Sequence, residues 1–191
     1  MPFDAAALIG QFESSPRTKS FAYRDRAELP FDVAAVDPAA PLMLDTTVYI
    51  DALQAPGLPH VLAALIAQGV VLHSAVAAAE LAVSLGHLGP THGQTKKHKA
   101  PIVQVLTAMS PDRVLAPSAA AWIEAAMIAG TLARTQSLPR EARRKLLNDA
   151  LLLLTAIESG ATLISRNVND FDLLLRFKPK AQVLLYDRET R

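Results

Sequence analysis

Four acidic residues lie within or directly after apolar stretches of the sequence, where burying a carboxylate without a partner would be costly. Asp45 directly follows the apolar run "PLML", and Asp170 follows "TLIS" within five residues. Glu80 and Asp149 lie in helical patterns whose residues three and four positions away are mainly apolar. An unpaired buried carboxylate costs several kcal/mol or takes up a proton, so four of them need a common partner. A bound divalent cation meets that need.

The ligands available indicate which cation this would be. The chain has no Cys and only five His in 191 residues, so oxygen ligands dominate. Hard oxygen ligands favour Mg²⁺ or Mn²⁺ over Zn²⁺. The absence of Cys also excludes disulfides, thiolate metal sites and Cys nucleophiles. We therefore expect a carboxylate site for Mg²⁺ or Mn²⁺.

Each acid also has a simpler interpretation when it is considered alone. Asp45 could cap the helix that follows it, and Asp170, before "FDLLLRF", could cap a later helix. Glu80 and Asp149 could be polar residues at the edge of the core. These alternatives stay open for any single acid. The combination favours a shared site, because helix caps have no reason to gather at one edge of one sheet.

Short apolar runs alternate with longer helical patterns from Pro41 onward. Strands are predicted at "PLML", "VVLH", 113–116, 162–165 and 183–186, and helices include 96–109, 118–135, 141–159 and 171–177. Gly69 and Gly86 are expected to end helices, and Ser74 to cap one. This order predicts an α/β fold, a three-layer α/β/α sandwich around a mainly parallel sheet of about four to five strands. Sites in such folds form outside the carboxyl ends of the strands, which places Asp45 and Asp170 at the same edge.

The length and composition indicate one compact domain with an appendage. The chain is 51% hydrophobic and 19% charged, which excludes disorder over most of its length. Residues 1–40 lack sustained periodicity, so we expect an N-terminal extension of open role with one short helix at 3–12, followed by a domain over 41–191. No run of about 18 uninterrupted apolar residues and no secretory signal pattern occurs. A cytoplasmic protein without a membrane span is expected.

Four stretches of the sequence carry a resemblance to a known family. They are "LDTTVYIDAL" (44–53), "SAVAAAELAVSLG" (74–86), "NDALLLLTAIESGATLISRNVNDF" (148–171) and "VLLYD" (183–187). With its four acids in this order, the chain resembles a PIN-domain ribonuclease, and most of all the VapC-type toxins of prokaryotic toxin–antitoxin pairs. The resemblance covers roughly residues 41–187.

The resemblance implies a specific set of site residues. The catalytic and metal-binding acids would be Asp45, Glu80, Asp149 and Asp170. Thr47 stands where the family often has Asn or Ser, and Asn167 matches the Asn of an RN pair; both would orient waters or carboxylates from behind the acids. The implied reaction is metal-dependent, in-line hydrolysis of RNA phosphodiester bonds by an endoribonuclease, with Asp45 and Asp149 as the principal direct ligands.

Two dense basic runs could contact the RNA backbone. They are "TKKHK" (95–99) and "REARRK" (140–145), and each is otherwise a solvated helix face. The candidate RNA-binding residues are Lys96, Lys97, Lys99, Arg143, Arg144 and Arg166. Arg166 could instead hold the loop of Asn167. A recessed acidic pocket favours single-stranded or looped RNA as the substrate.

Three further side chains have simple expected roles. We expect Trp122 to pack in the core, His73 to be a hydrogen-bonded structural residue and Asp51 to be exposed on its helix.

The resemblance further implies a small antitoxin protein as partner and a homodimer. Two other functions stay open: a housekeeping PIN nuclease without antitoxin, and a PIN-like domain that binds RNA or protein without cutting. The sign of the latter would be the loss of an acid, and all four are present. A HAD phosphatase would need a second Asp where Thr47 stands, and no glycine-rich nucleotide-binding motif occurs.

Overall fold

A five-stranded parallel sheet forms the centre of the protein. The computed structural model describes residues 4–13, 18–54, 57–87 and 95–188. The strands are β1 (Leu42–Leu44), β2 (Val71–Ser74), β3 (Val114–Leu115), β4 (Thr162–Ser165) and β5 (Val183–Leu185). Their order across the sheet is β3-β2-β1-β4-β5, and every neighbouring pair is parallel. The predicted parallel α/β sheet is confirmed, with β1 at its centre.

The helices connect successive strands and cover the sheet. In the described part of the chain they are α1 (Ala5–Glu13), α2 (Thr46–Ala52), α3 (His60–Gln68), α4 (Ala75–His87), α5 (Thr95–Ala108), α6 (Ala119–Thr135), α7 (Arg140–Glu158) and α8 (Val168–Leu175). Parallel strands need such crossover connections, because a tight turn can join only antiparallel neighbours.

Alternate residues of each strand face opposite layers, which gives the predicted three-layer sandwich. One apolar cluster joins Met43, Leu163, Val183 and Leu185 to buried residues of α6, α7 and α8. The other joins Leu42, Leu44, Ile164 and Leu184 to buried residues of α2, α3 and α4. The strands are apolar on both faces because both faces are covered.

The helix boundaries agree with the sequence patterns except at two places. Gly69 ends α3, and a Cβ there would lie 2.7 Å from Leu42 Cδ1, so any larger residue would force the buried side chain of Leu42 to shift. Ser74 Oγ accepts a hydrogen bond from the backbone N–H of Val76 at 3.1 Å, as expected of a cap. Gly86, in contrast, lies inside α4. The predicted helix 171–177 starts three residues too late, since α8 begins at Val168.

The segment before β1, expected to be an N-terminal extension, packs against one of the two apolar clusters. Phe12, in α1, stacks on Phe177 with ring centroids 6.3 Å apart. The backbone N–H of Leu185 in β5 donates to the carbonyl of Pro30 at 2.7 Å. The extension therefore supplies a hydrogen-bonding partner to the edge strand β5, where unpaired backbone groups would otherwise invite strand pairing.

Two expectations about single side chains are wrong. Trp122 is 50% exposed, because the buried face of α6 is formed by small and aliphatic residues that start at its neighbour Ala121. Asp51 is fully buried rather than exposed, because basic and hydroxyl groups from distant segments surround it. The expectation for His73 is confirmed, since its Nδ1 lies 2.7 Å from the Tyr49 hydroxyl.

Within the described ranges, no helix combines the length and the apolar character that crossing a membrane demands.

Candidate active site

Asp45 and Asp170 follow the carboxyl ends of two neighbouring strands, β1 and β4. Asp45 follows β1 directly, and its backbone N–H donates to the carbonyl of Ile164 in β4 at 3.0 Å. Asp45 occupies the N-cap position of α2, but its side chain makes no capping hydrogen bond. Asp170 lies in the first turn of α8, whose N-cap is Asn167, so the N-cap interpretation of Asp170 is wrong. Both carboxylates are left for other contacts.

Two hydroxyl groups hold the carboxylate of Asp45. Thr47 Oγ1 donates to Asp45 Oδ2 at 2.7 Å, and Ser165 Oγ donates to the same oxygen at 2.5 Å. The backbone N–H of Arg166 donates to Thr47 Oγ1 at 3.2 Å, which ties the loop after β4 to α2. The predicted contact of Thr47 with an acid is thus present. Ser165 was missed, although its place as the last residue of a strand that precedes an acid could have indicated it.

Glu80 reaches the same region from α4. Thr46 Oγ1 donates to Glu80 Oε2 at 2.5 Å, and Asn148 Nδ2 donates to Glu80 Oε1 at 2.8 Å. Neither Thr46 nor Asn148 was expected from the sequence to contact an acid. Their positions could have indicated these contacts. Thr46 is adjacent to Asp45 and Asn148 to Asp149, so each is a polar residue beside an acid in an otherwise apolar segment.

Asn167 bridges the remaining two acids. Its Nδ2 donates to Asp149 Oδ2 and to Asp170 Oδ2, each at 2.8 Å. Lys145 Nζ, from α7, also donates to Asp170 Oδ2 at 2.8 Å. The predicted contact of Asn167 with the acids is present, and Lys145 pairs with Asp170 rather than with Asp149, the acid one helical turn after it.

The charges of the four carboxylates influence one another. Burial raises the pKa of Asp45, hydrogen bonds from Ser165 and Thr47 oppose the rise, and the charge of Glu80 adds to it. Burial also raises the pKa of Asp149 well above its usual range, and the negative charges of Asp45 and Asp170 reinforce this. Burial acts the same way on Asp170, but hydrogen bonds from Lys145 and Asn167 outweigh it and lower that pKa. The site concentrates negative charge that its own donors only partly offset.

The donor set suits a hard divalent cation. Asp45 and Asp149 are almost fully buried, at 3% and 4% exposure, and they repel each other. Among the described residues, however, no three His, Asp or Glu side chains are arranged to hold one ion as they stand. The carboxylates of Glu80 and Asp170 instead accept hydrogen bonds from side chains of the protein itself. Mg²⁺ typically binds through one or two carboxylates and keeps several waters, so a site based on Asp45 and Asp149 fits this chemistry.

A buried ion-pair network lies beside the acidic site. Arg166 Nε donates to Asp51 Oδ2 at 2.6 Å, and the hydroxyl of Tyr186 donates to the same oxygen at 2.9 Å. Arg188 Nε lies 3.4 Å from Asp51 Oδ1. Of the two roles considered for Arg166, holding the loop that carries Asn167 agrees with these contacts.

The other candidate RNA contacts lie on α5 and α7. The side chains of Lys96 and Lys97 fall outside the described residues, and Lys99 is half-buried. Arg143 and Arg144 are exposed, and Arg143 Nε donates to the carbonyl of Leu138 at 2.9 Å. The second basic run thus leads along α7 toward Asp149.

Comparisons with known proteins agree with the geometry. Residues 42–174 match the PIN domain family. A crystal structure of FitAcB from Neisseria gonorrhoeae has a similar fold at 20% identity, with a TM-score of 0.52 over 75% of this chain and 96% of that chain. A structure of FitAB bound to an IR36 DNA fragment is similar at 18% identity, with a TM-score of 0.54 over 78% of this chain and 99% of that one.

A search of curated proteins finds no match. The family match spans most of the domain, from β1 to α8, and includes all four acids. The two structural similarities, both below 25% identity, show the same fold. The chain belongs to the PIN domain family.

Proposed function

We propose that this protein is a divalent-metal-dependent endoribonuclease and the toxin of a toxin–antitoxin pair. The observation that carries the nuclease proposal is the convergence of Asp45, Glu80, Asp149 and Asp170 from four separate segments of a PIN domain. Gathering buried like charges destabilises a protein, so such a group is better explained by chemistry than by folding. The preferred ions are Mg²⁺ and Mn²⁺, because the four acids offer carboxylate oxygens as ligands.

Each residue has a defined part in the proposed reaction. Asp45 and Asp149 would bind the cation directly, and Glu80 and Asp170 would complete its surroundings or orient the attacking water. The chemistry that a divalent cation supplies at such a site is activation of water and neutralisation of charge on the phosphodiester. Thr47, Ser165 and Asn167 would keep the carboxylates in fixed orientations, which limits the reorganisation needed during the reaction.

The basic residues would hold the RNA backbone. Lys99, Arg143 and Arg144, with Lys96 and Lys97, are the proposed phosphate contacts, since cations along the substrate path supply most of the affinity for nucleic acid. The recessed position of the acids favours a flexible single strand or loop over a stiff duplex.

A cleavage assay tests the nuclease proposal. Wild-type protein should cut single-stranded RNA with Mg²⁺ or Mn²⁺ and not with EDTA. Asp45→Asn should cut at least about 100-fold more slowly, because it removes a direct ligand. Asp112→Asn, the same change at an exposed position, is the matched control and should cut at the wild-type rate. Equal cleavage by Asp45→Asn and wild type, or none by wild type with either ion, would reject the nuclease and favour a non-catalytic RNA- or protein-binding domain.

The toxin proposal rests on the resemblance to VapC-type toxins, and the shared fold with the FitAcB and FitAB structures supports it. It implies a small antitoxin that blocks cleavage and a homodimeric nuclease. Purification from the native host should recover a small partner that inhibits the RNA assay, and light scattering should give twice the monomer mass. Cleavage activity without any inhibitory partner would favour a housekeeping nuclease.

A further inference from the structure

Lys145 places a positive charge at the edge of the acidic site, beside Asp170. It lies on α7 one helical turn before Asp149, but its ammonium group crosses to α8 and donates to Asp170 Oδ2 at 2.8 Å. The same oxygen accepts a hydrogen bond from Asn167 Nδ2. One oxygen of Asp170 is therefore shared between an amide and a full positive charge, both from this chain.

The ammonium group interacts with more than one acid. Burial by itself would lower the pKa of Lys145, but the hydrogen bond to Asp170 and the charges of Asp170, Asp149 and Asp45 outweigh burial and raise it. Lys145 is thus held by a direct hydrogen bond to Asp170 and is also attracted by the charges of Asp149 and Asp45.

The simplest alternative is an exposed ion pair with little energetic effect. The side chain of Lys145 is 57% exposed, and pairs of that kind typically contribute little to stability. Two features separate Lys145 from such a pair. Asp170 is only 26% exposed, and the attraction comes from three carboxylates rather than one.

We propose that Lys145 is an internal counter-ion that competes with the divalent cation for Asp170 and so raises the metal concentration at which the acidic site fills. The inference rests on the proposed function, because it takes the four carboxylates as a metal site. A cation that binds Asp170 through Oδ2 must displace the ammonium group from that oxygen, and the loss of the ion pair then weakens metal binding.

Calorimetric titration of the full-length protein with MnCl₂ tests this competition. Lys145→Met removes the charge at nearly constant side-chain length, and Lys145→Arg keeps it. Lys145→Met should bind Mn²⁺ about three- to tenfold more tightly than wild type, the effect of one partly exposed charge-assisted hydrogen bond. Lys145→Arg should bind about as wild type does.

Arg144→Gln is the matched control for charge alone. It removes one positive charge from the neighbouring exposed position of the same helix. The side chain of Arg144 is exposed and has no described contact with the four acids, so at about 0.15 M salt its charge is largely screened and Mn²⁺ affinity should change less than about twofold. A second readout is thermal unfolding, in which saturating Mn²⁺ should raise the Tm of Lys145→Met more than that of wild type.

The outcomes distinguish this inference from the proposed function. If wild type binds Mn²⁺ and Lys145→Met binds it equally or more weakly, Lys145 is no competitor and the metal site stands without it. If Arg144→Gln tightens binding as much as Lys145→Met does, the effect is general electrostatics and the inference is overturned. If wild type binds no Mn²⁺, the metal-dependent function fails and the inference fails with it.

Discussion

Arg24 and Asp172 form a buried ion pair that joins the N-terminal extension to α8. Arg24 Nε lies 2.6 Å from Asp172 Oδ1, and the backbone N–H of Arg24 donates to Oδ2 at 2.8 Å. Asp172 is 2% exposed at the side chain and lies two residues after Asp170. The extension therefore contacts the helix that carries one of the four acids, and it does so with both a side chain and the backbone.

We predict that Arg24→Met destabilises the protein by about 2 kcal/mol. The substitution leaves a buried carboxylate with fewer partners, and removing one side of a buried pair is costly. Arg176 Nε, 3.7 Å from Asp172 Oδ1, retains part of the interaction. Urea unfolding followed by circular dichroism measures the change.

The control for Arg24 is Arg26→Met. Arg26 pairs with Asp187 at the surface, where both side chains are more than half exposed. Its loss should cost less than about 1 kcal/mol. Equal costs for the two substitutions would mean that the side-chain contact of Arg24 with Asp172 has no special weight in holding the extension.

Removing the hydroxyl of Ser165 should impair the acidic site. Ser165 is fully buried, donates to Asp45 Oδ2 and accepts from the backbone N–H of Asn167 at 2.9 Å. We expect Ser165→Ala to lower the rate of RNA cleavage about 10- to 100-fold, the usual cost of losing a group that orients a metal ligand. A steady-state assay on a fluorogenic RNA measures this.

Ser159→Ala supplies the comparison for Ser165. The hydroxyl of Ser159 donates only to helix carbonyls at the end of α7 among the contacts described, at 2.9 and 3.1 Å. Its removal should leave the cleavage rate unchanged. A Ser165→Ala enzyme as active as Ser159→Ala would show that Asp45 needs no orienting hydroxyl from β4.

Asp149→Asn should stabilise the protein in EDTA while it abolishes cleavage. Burial and the charges of Asp45 and Asp170 raise the pKa of Asp149 in the folded state. Neutralising this group should raise the free energy of unfolding by about 1 kcal/mol at neutral pH, as is common where function strains a site. Chemical unfolding in EDTA and the RNA assay with Mg²⁺ give the two results.

The stability that Asp149→Asn gains should depend on pH, and the direction follows from the pKa shift of Asp149. Because the folded-state pKa of Asp149 lies above the unfolded value of about 3.9, the folded protein binds the proton more strongly. Wild type therefore loses stability as the pH rises from the unfolded pKa through the folded one, and Asp149→Asn does not. The advantage of the variant should be small near pH 4 and larger at pH 7. A gain that shrinks as the pH rises would contradict the pKa shift.

Asp51→Asn should cost about 3 kcal/mol of stability. The substitution leaves the contacting groups of Arg166 and Arg188 beside a neutral amide in a fully buried position. Asp187→Asn, which affects only the exposed pair with Arg26 in the described structure, should cost less than about 1 kcal/mol. Thermal unfolding of both variants measures the two losses of stability. A small loss of stability in Asp51→Asn would show that Tyr186 and the apolar surroundings hold this part of the structure together without the charge of Asp51.

Local patterns were enough to predict most of the elements. The runs at "PLML" and "TLIS" became β1 and β4 because strands covered on both faces are mainly apolar on both. The start of α8 was misjudged because three polar residues, Arg166, Asn167 and Asn169, looked like a loop. In the structure Asn167 caps the helix by position and uses its amide on two acids, so the same residue ends the loop and serves the site.

The sequence by itself determined the four acids, their order along the chain and the edge of the sheet where two of them lie, because strand exits and helix faces follow from spacing along the chain. Only the tertiary structure decided which donors hold each acid. Ser165 meets Asp45 across 120 residues and Lys145 meets Asp170 across 25. Asp51 is buried for the same reason, because Arg166 and Tyr186 arrive from distant segments. Periodicity reports which face a residue occupies, whereas the partner on that face depends on how separate elements pack.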